Sequence, residues 1–95
     1  MAFFTVTSVI DGDTFTVSPN WQWNGQSGNR VRPTGYDAPE LSEYGGPAAK
    51  EELARLILGQ QVELRTAYKI DRERLVCDVY FSGRNLADYF AWYRT

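Results

Sequence analysis

Five short runs of β-branched and aromatic residues, broken once by a helical pattern, leave this chain few folds to choose from. Residues 3–10 read FFTVTSVI and suit a strand. Asp11-Gly12 is a hairpin-turn dipeptide. Residues 14–18 (TFTVS) alternate and return as a second strand. Residues 19–29 (PNWQWNGQSGN) are turn-rich and polar apart from Trp21 and Trp23, which predicts a hairpin tip. Residues 30–34 give a short third strand, weakened by Pro33, which has no N–H for a ladder. After the irregular stretch 35–46, Pro47 opens a helix whose Ala49, Leu53, Leu56 and Ile57 share one face, and Gly59 closes it. Residues 61–69 form a fourth strand, 70–74 a charged turn and 75–81 an alternating fifth strand. Ser82-Gly83 turns the chain into a second, aromatic helix over 85–93. A mainly β, α+β chain with five strands and a helix after the third suits a small, partly open barrel.

Size and composition bound the rest. Ninety-five residues make one domain, 1–95, burying roughly 60–68% of its unfolded surface. No window approaches the length of a membrane span. The opening MAFFTVTSVI lacks the basic and long apolar regions of a signal peptide, so the expected location is cytoplasmic, or secreted if this is a mature domain. The single cysteine, Cys77, excludes an internal disulfide and any multi-thiolate metal site. No histidine is present, which removes His-based nucleophilic catalysis and His–metal ligation. Chemistry in this chain must run on carboxylates, arginines, hydroxyls or a hard metal ion. The net charge of −2 speaks against a nucleic-acid partner. Yet eight of the ten basic residues are arginine, the side chain that fits phosphate as a planar fork.

Three acidic clusters sit at strand ends: Asp11-Gly12-Asp13-Thr14, then Asp37-Ala38-Pro39-Glu40 beyond Arg32, then Asp71-Arg72-Glu73-Arg74. Each alone reads as a solvated turn or loop. Together they are more informative, because a barrel mouth can gather strand ends. Asp13, Asp37 and Glu40 drawn together would repel one another unless a cation joined them. Carboxylates with a backbone carbonyl and water suit Ca²⁺, in a weak and exchangeable site. Arg32 with Arg72 or Arg74 would then complete a cradle for a phosphodiester.

These residues resemble the staphylococcal nuclease-like (thermonuclease) family. The resemblance rests on DGDTF at 11–15, R-x-x-G-x-D-A-P-E at 32–40, GPAA at 46–49, DRER-LV at 71–76 and GRNLADY at 83–89. It implies a five-stranded OB-fold barrel with a helix after the third strand and a C-terminal helix. It also implies a Ca²⁺-dependent nuclease that hydrolyses DNA or RNA to 3′-phosphate products. By the same resemblance, Asp13 and Asp37 are direct Ca²⁺ ligands and Ala38 adds its carbonyl. Glu40 orients or deprotonates the attacking water. Arg32 and Arg74 grip the phosphate and its transition state, and Asp11 stands beside the site.

The chain departs from that pattern in places. The segment Asp71-Arg72-Glu73-Arg74 is one residue shorter than the family's and lacks its Tyr-Gly. Counting back from the strand selects Arg74; counting forward from Asp71 selects Arg72. Trp21 and Trp23 either stack on bases of the substrate or cover the barrel end. The domain is expected to lack the family's usual C-terminal segment. The alternative function is a non-catalytic module of the same fold that binds nucleic acid or protein.

Overall fold

The run FFTVTSVI lies within β1, Ala2–Asp11, in the computed structural model, which describes residues 2–95. A two-residue turn at Gly12 and Asp13 leads into β2, Thr14–Trp23, and β3 follows over Gln26–Pro33. The expected hairpin tip over 19–29 is much shorter, because β2 and β3 run out to Asn24-Gly25. Both turn residues adopt positive φ (52° and 77°), which Asn-Gly tolerates. Polar side chains do not stop the strands: pairing of Gln22 with Ser27 and Trp23 with Gln26 satisfies the backbone whatever the side chains are.

The helix α1, Gly46–Ile57, buries Ala49, Leu53 and Ile57, the stripe expected from their spacing. Beyond it Gly59 takes φ 78°, and its N–H donates to the Val6 carbonyl at 2.9 Å. That bond fixes the helix end on β1. The chain returns as β4, Gln61–Asp71, and β5, Arg74–Phe81, with a two-residue β6, Arg84–Asn85. Antiparallel ladders link β3, β2, β1, β4 and β5 in that order, and a parallel pairing of β3 with β5 closes the ring. Register shifts in β1 and β4 bend those strands, as closure of a small barrel requires. The result is a closed five-stranded mixed barrel with one helix after the third strand, an OB-like α+β fold. Pro33 sits at the last position of β3, where its missing N–H costs little.

The C-terminal helical segment is wound more tightly than expected. Two 3₁₀ helices, Leu86–Tyr89 and Ala91–Tyr93, break at Phe90 in place of one α-helix over 85–93. Tertiary pairing outweighs the helical ladder there. The Tyr93 carbonyl accepts from the Asp37 N–H at 2.8 Å, and the Thr95 N–H donates to the Gly35 carbonyl at 3.1 Å. Phe15, Val31, Leu53, Ile57, Cys77 and Leu86 are fully buried and define the core. Burial pushes the Cys77 thiol up to about 12, with Asp78 adding to the shift. Among the described residues no helix is long and apolar enough to cross a membrane, and no disulfide is present.

Candidate functional site

Small residues bring three separated segments into contact. A Cβ at Gly12 would lie 2.6 Å from the Ala38 Cβ and 2.7 Å from the Ala49 Cβ. Only glycine lets the β1–β2 turn press against both the 36–40 loop and α1. The buried Tyr36 hydroxyl donates to the Gly12 carbonyl at 3.0 Å and fixes that contact. Burial raises the Tyr36 pKa well above that of a free phenol, with Asp13 adding to it, so the hydroxyl stays a donor. Gly46 is tighter still: a Cβ there would fall 1.9 Å from the Glu40 carbonyl oxygen. Glu43 completes the loop by accepting the Glu40 N–H at 2.8 Å. The Glu40 side chain is exposed and accepts no hydrogen bond among the described residues.

Arg32 joins two of the expected carboxylates. Its Nη1 lies 2.8 Å from Asp13 Oδ2 and its Nη2 lies 3.2 Å from Asp37 Oδ1. Asp13 is almost fully buried, and its Oδ2 also accepts the Ala38 N–H at 3.3 Å. Asp37 is the looser partner, with its side chain 64% exposed. Burial opposes the charge on Arg32, but the two aspartates outweigh it and hold its pKa above the ordinary value. Arg74 is locked differently. It donates to Thr14 Oγ1 at 3.1 Å and to Asp71 Oδ2 at 3.2 Å. Arg72 stands exposed in the turn between β4 and β5.

An open cleft of about 680 Å³ at the barrel mouth gathers Asp13, Arg32, Asp37, Ala38, Glu40, Arg72 and Arg74. Asp11, Lys69 and Asp71 share its wall. It is thus lined by five acids and four bases, so its field is mixed, not simply acidic. The tryptophans lie elsewhere. Trp21 is 3% exposed, and its indole N–H is spent on the Arg30 carbonyl at 2.8 Å, which favours covering the barrel over stacking on bases, the two roles open to it. Trp23, half-buried against the core near the hairpin tip, does not line the cleft. Three residues have roles that their sequence context does not reveal. Tyr36 sits inside the R-x-x-G-x-D run and reads as a spacer. Asp71 reads as a turn residue. Gly46 reads as half of a Gly-Gly pair, although its burial beside a proline-started helix is the signal of a close backbone approach.

Among the described residues no group of three or more His, Cys, Asp or Glu side chains is arranged to hold a metal ion. Asp13 and Asp37, joined through Arg32 and with Asp11 on the same wall, still offer hard oxygen donors. That donor set fits a divalent cation completed by water, in competition with Arg32 for the same carboxylates. The fold and cleft define an OB-like barrel with an acid–arginine mouth. A scan against protein-family models and a search of curated proteins both find no match for this chain.

Proposed function

We propose that this chain is a Ca²⁺-dependent phosphodiesterase of the nuclease type, acting on DNA or RNA and leaving 3′-phosphate ends. The staphylococcal nuclease-like family that it resembles does the same. One observation supports this reading above the others: Asp13, Arg32, Asp37, Glu40 and Arg74, from four separate segments, line one cleft.

Asp13 and Asp37, with the Ala38 carbonyl, would hold the cation. When bound, it lowers the pKa of a nearby water and offsets charge that develops on the phosphate. Glu40, whose carboxylate is not committed elsewhere, orients that water and takes its proton. The water oxygen then bonds to phosphorus, the bond to the 5′ oxygen breaks, and the leaving oxygen is protonated by solvent. Arg32 and Arg74 neutralise the non-bridging oxygens as five-coordinate phosphorus forms. Arg32 gives up its longer bond, to the exposed Asp37, when the phosphate arrives.

Release of acid-soluble nucleotides with and without a chelator tests this. Glu40→Gln and Arg32→Ala are each expected to lower the rate by ~10²–10³. Unchanged cleavage in both variants would reject the site. A second reading, binding without cleavage, is favoured by the closure of Arg32 on both aspartates. Salt-sensitive binding that ignores Ca²⁺, with no product formed, would select it.

A further inference from the structure

We infer that the groove continues past the cleft into a second one, which holds the phosphodiester backbone of the adjoining single strand with Arg30 as its anchoring cation. This rests on the nucleic-acid reading above and extends it from one scissile phosphate to a polynucleotide.

The second cleft, about 560 Å³, lies between the β2–β3 hairpin and the β4–β5 turn. Arg72 lines both clefts, so they meet at its side chain. Arg30 and Arg74 are register partners in the β3–β5 pair, yet Arg74 lines the first cleft and Arg30 the second. Neighbouring strands lie only about 4.8 Å apart, so the two cations begin side by side and serve successive positions of the groove.

The charges are arranged for an anion. Arg32, Arg55, Arg65, Arg74 and Arg94 each have a carboxylate within 4.0 Å. Arg30, Arg72 and Arg84 have none among the described residues and all are exposed, but Arg84 lies over the Tyr89 ring, away from the groove. Unpaired guanidinium groups on one groove are suited to phosphate oxygens. Ser27 and Asn29 add neutral donors, against the single acid Glu73.

The floor beneath Arg30 is rigid. Trp21 fills it, and its indole N–H holds the Arg30 carbonyl at 2.8 Å. A Cβ at Gly28 would meet that ring at 2.8 Å, so glycine allows the packing. The turn at the junction also stands out. Arg72 and Glu73 both adopt positive φ (53° and 66°) without a glycine, whereas the other two turns with positive φ at both positions are Asn24-Gly25 and Ser82-Gly83. Because the Trp21 face is covered, the cleft reads backbone and not bases. OB barrels carry single strands along such grooves with little sequence preference.

The test is fluorescence anisotropy with labelled oligothymidylate and oligouridylate of 3 and 12 nucleotides, in chelator, across a salt series. Wild type is expected to bind both 12-mers more tightly than the trimers. Arg30→Gln should weaken 12-mer binding roughly tenfold. It should also flatten the salt slope by about 0.7, the value for one phosphate contact on a single strand. Ser27→Glu, which puts a negative charge in the same cleft, should act in the same direction. Wild-type affinity and slope in both variants would overturn the inference, even if the wild type cleaves with Ca²⁺. An effect confined to the RNA would overturn it too, since backbone contacts are shared by both sugars. Arg30-dependent binding of both 12-mers would uphold it even if no cleavage occurs, and the hydrolytic reading would then fail alone.

Discussion

Gly46→Ala sets two effects of opposite sign against each other. On helix propensity, alanine at the first position of α1 should stabilise the protein, by up to about 1 kcal/mol. The packing says otherwise. The new Cβ would lie 1.9 Å from the Glu40 carbonyl oxygen, 2.7 Å from its carbon and 2.8 Å from the Leu41 Cα. Real Cβ contacts essentially never fall below 3.0 Å, so the 40–41 backbone must retreat by about 1.1 Å. All three neighbours are main-chain atoms, so no flexible side chain can swing away. Overpacking of that kind costs about 1–3 kcal/mol, which exceeds the propensity gain. Urea denaturation should therefore show a lower midpoint, by several tenths of a molar to 1 M at a typical slope. If the proposed hydrolysis is present, moving Glu40 by about 1 Å should also slow it on the order of 10²-fold. Gly59→Ala is the control. Unlike Gly46 it has positive φ (78°), but nothing lies within 4 Å of its Cβ, so only the backbone cost of about 1–2 kcal/mol applies and the cleft is untouched. A Gly46→Ala protein as stable as wild type, or more stable, would refute the close approach that holds Glu40 in place.

Tyr36→Phe leaves the buried Gly12 carbonyl without its donor; the expected loss is about 1–2 kcal/mol in a denaturant melt, with the far-UV spectrum unchanged. Cys77 makes stability depend on alkaline pH. Its folded thiol is pushed up from 9.0 to about 12, so its contribution is complete below pH 9 and falls by about 1.4 kcal/mol per pH unit as pH rises towards 12. Cys77→Ala should be less stable at pH 8 but lose that decline between pH 9 and 10, read from melts at each pH. Deletion of residues 93–95 removes the carbonyl that accepts the Asp37 N–H, and amide exchange at Asp37 should quicken by roughly tenfold or more.

Strand and helix periodicity carried the fold. Alternation in 75–81 and the 49–53–57 stripe are burial patterns written directly in side-chain type, and both recur in the structure. Where the expectation fell short, the deciding interaction was not local. The polar run 19–29 looks like a loop because a strand is recognised by its apolar face; the β2–β3 ribbon extends here through backbone pairing, with Trp21 packed against Gly28. The stretch 85–93 has helical spacing, but Asp37 competes for the Tyr93 carbonyl from more than fifty residues away.

The cleft was legible as a set of residues and not as an arrangement. Strand ends carrying acids and arginines can be counted in a sequence, and a barrel must bring strand ends together. Which acid pairs with which arginine depends on distances of a few tenths of an ångström, and no spacing rule encodes those. Asp13, a cation ligand by the resemblance, accepts in this structure from Arg32 and the Ala38 N–H. That pairing has a physical origin. With two carboxylates and one guanidinium in reach, the buried carboxylate gains most from a charged partner, while exposed Asp37 is already solvated. The same inequality sets the order in which the site can open. On the function proposed above, Asp37 would yield first, and only then would its oxygens and the Arg32 fork become available to a cation and a phosphate. Asp37→Asn should accordingly leave the Asp13–Arg32 pair and the fold intact, with less than about 0.5 kcal/mol lost in a melt. Asp13→Asn strips the charged partner from a guanidinium only 25% exposed and should cost about 1–3 kcal/mol. Equal losses in the two variants would mean that burial does not rank the two aspartates, and the proposed order of opening would fall with it.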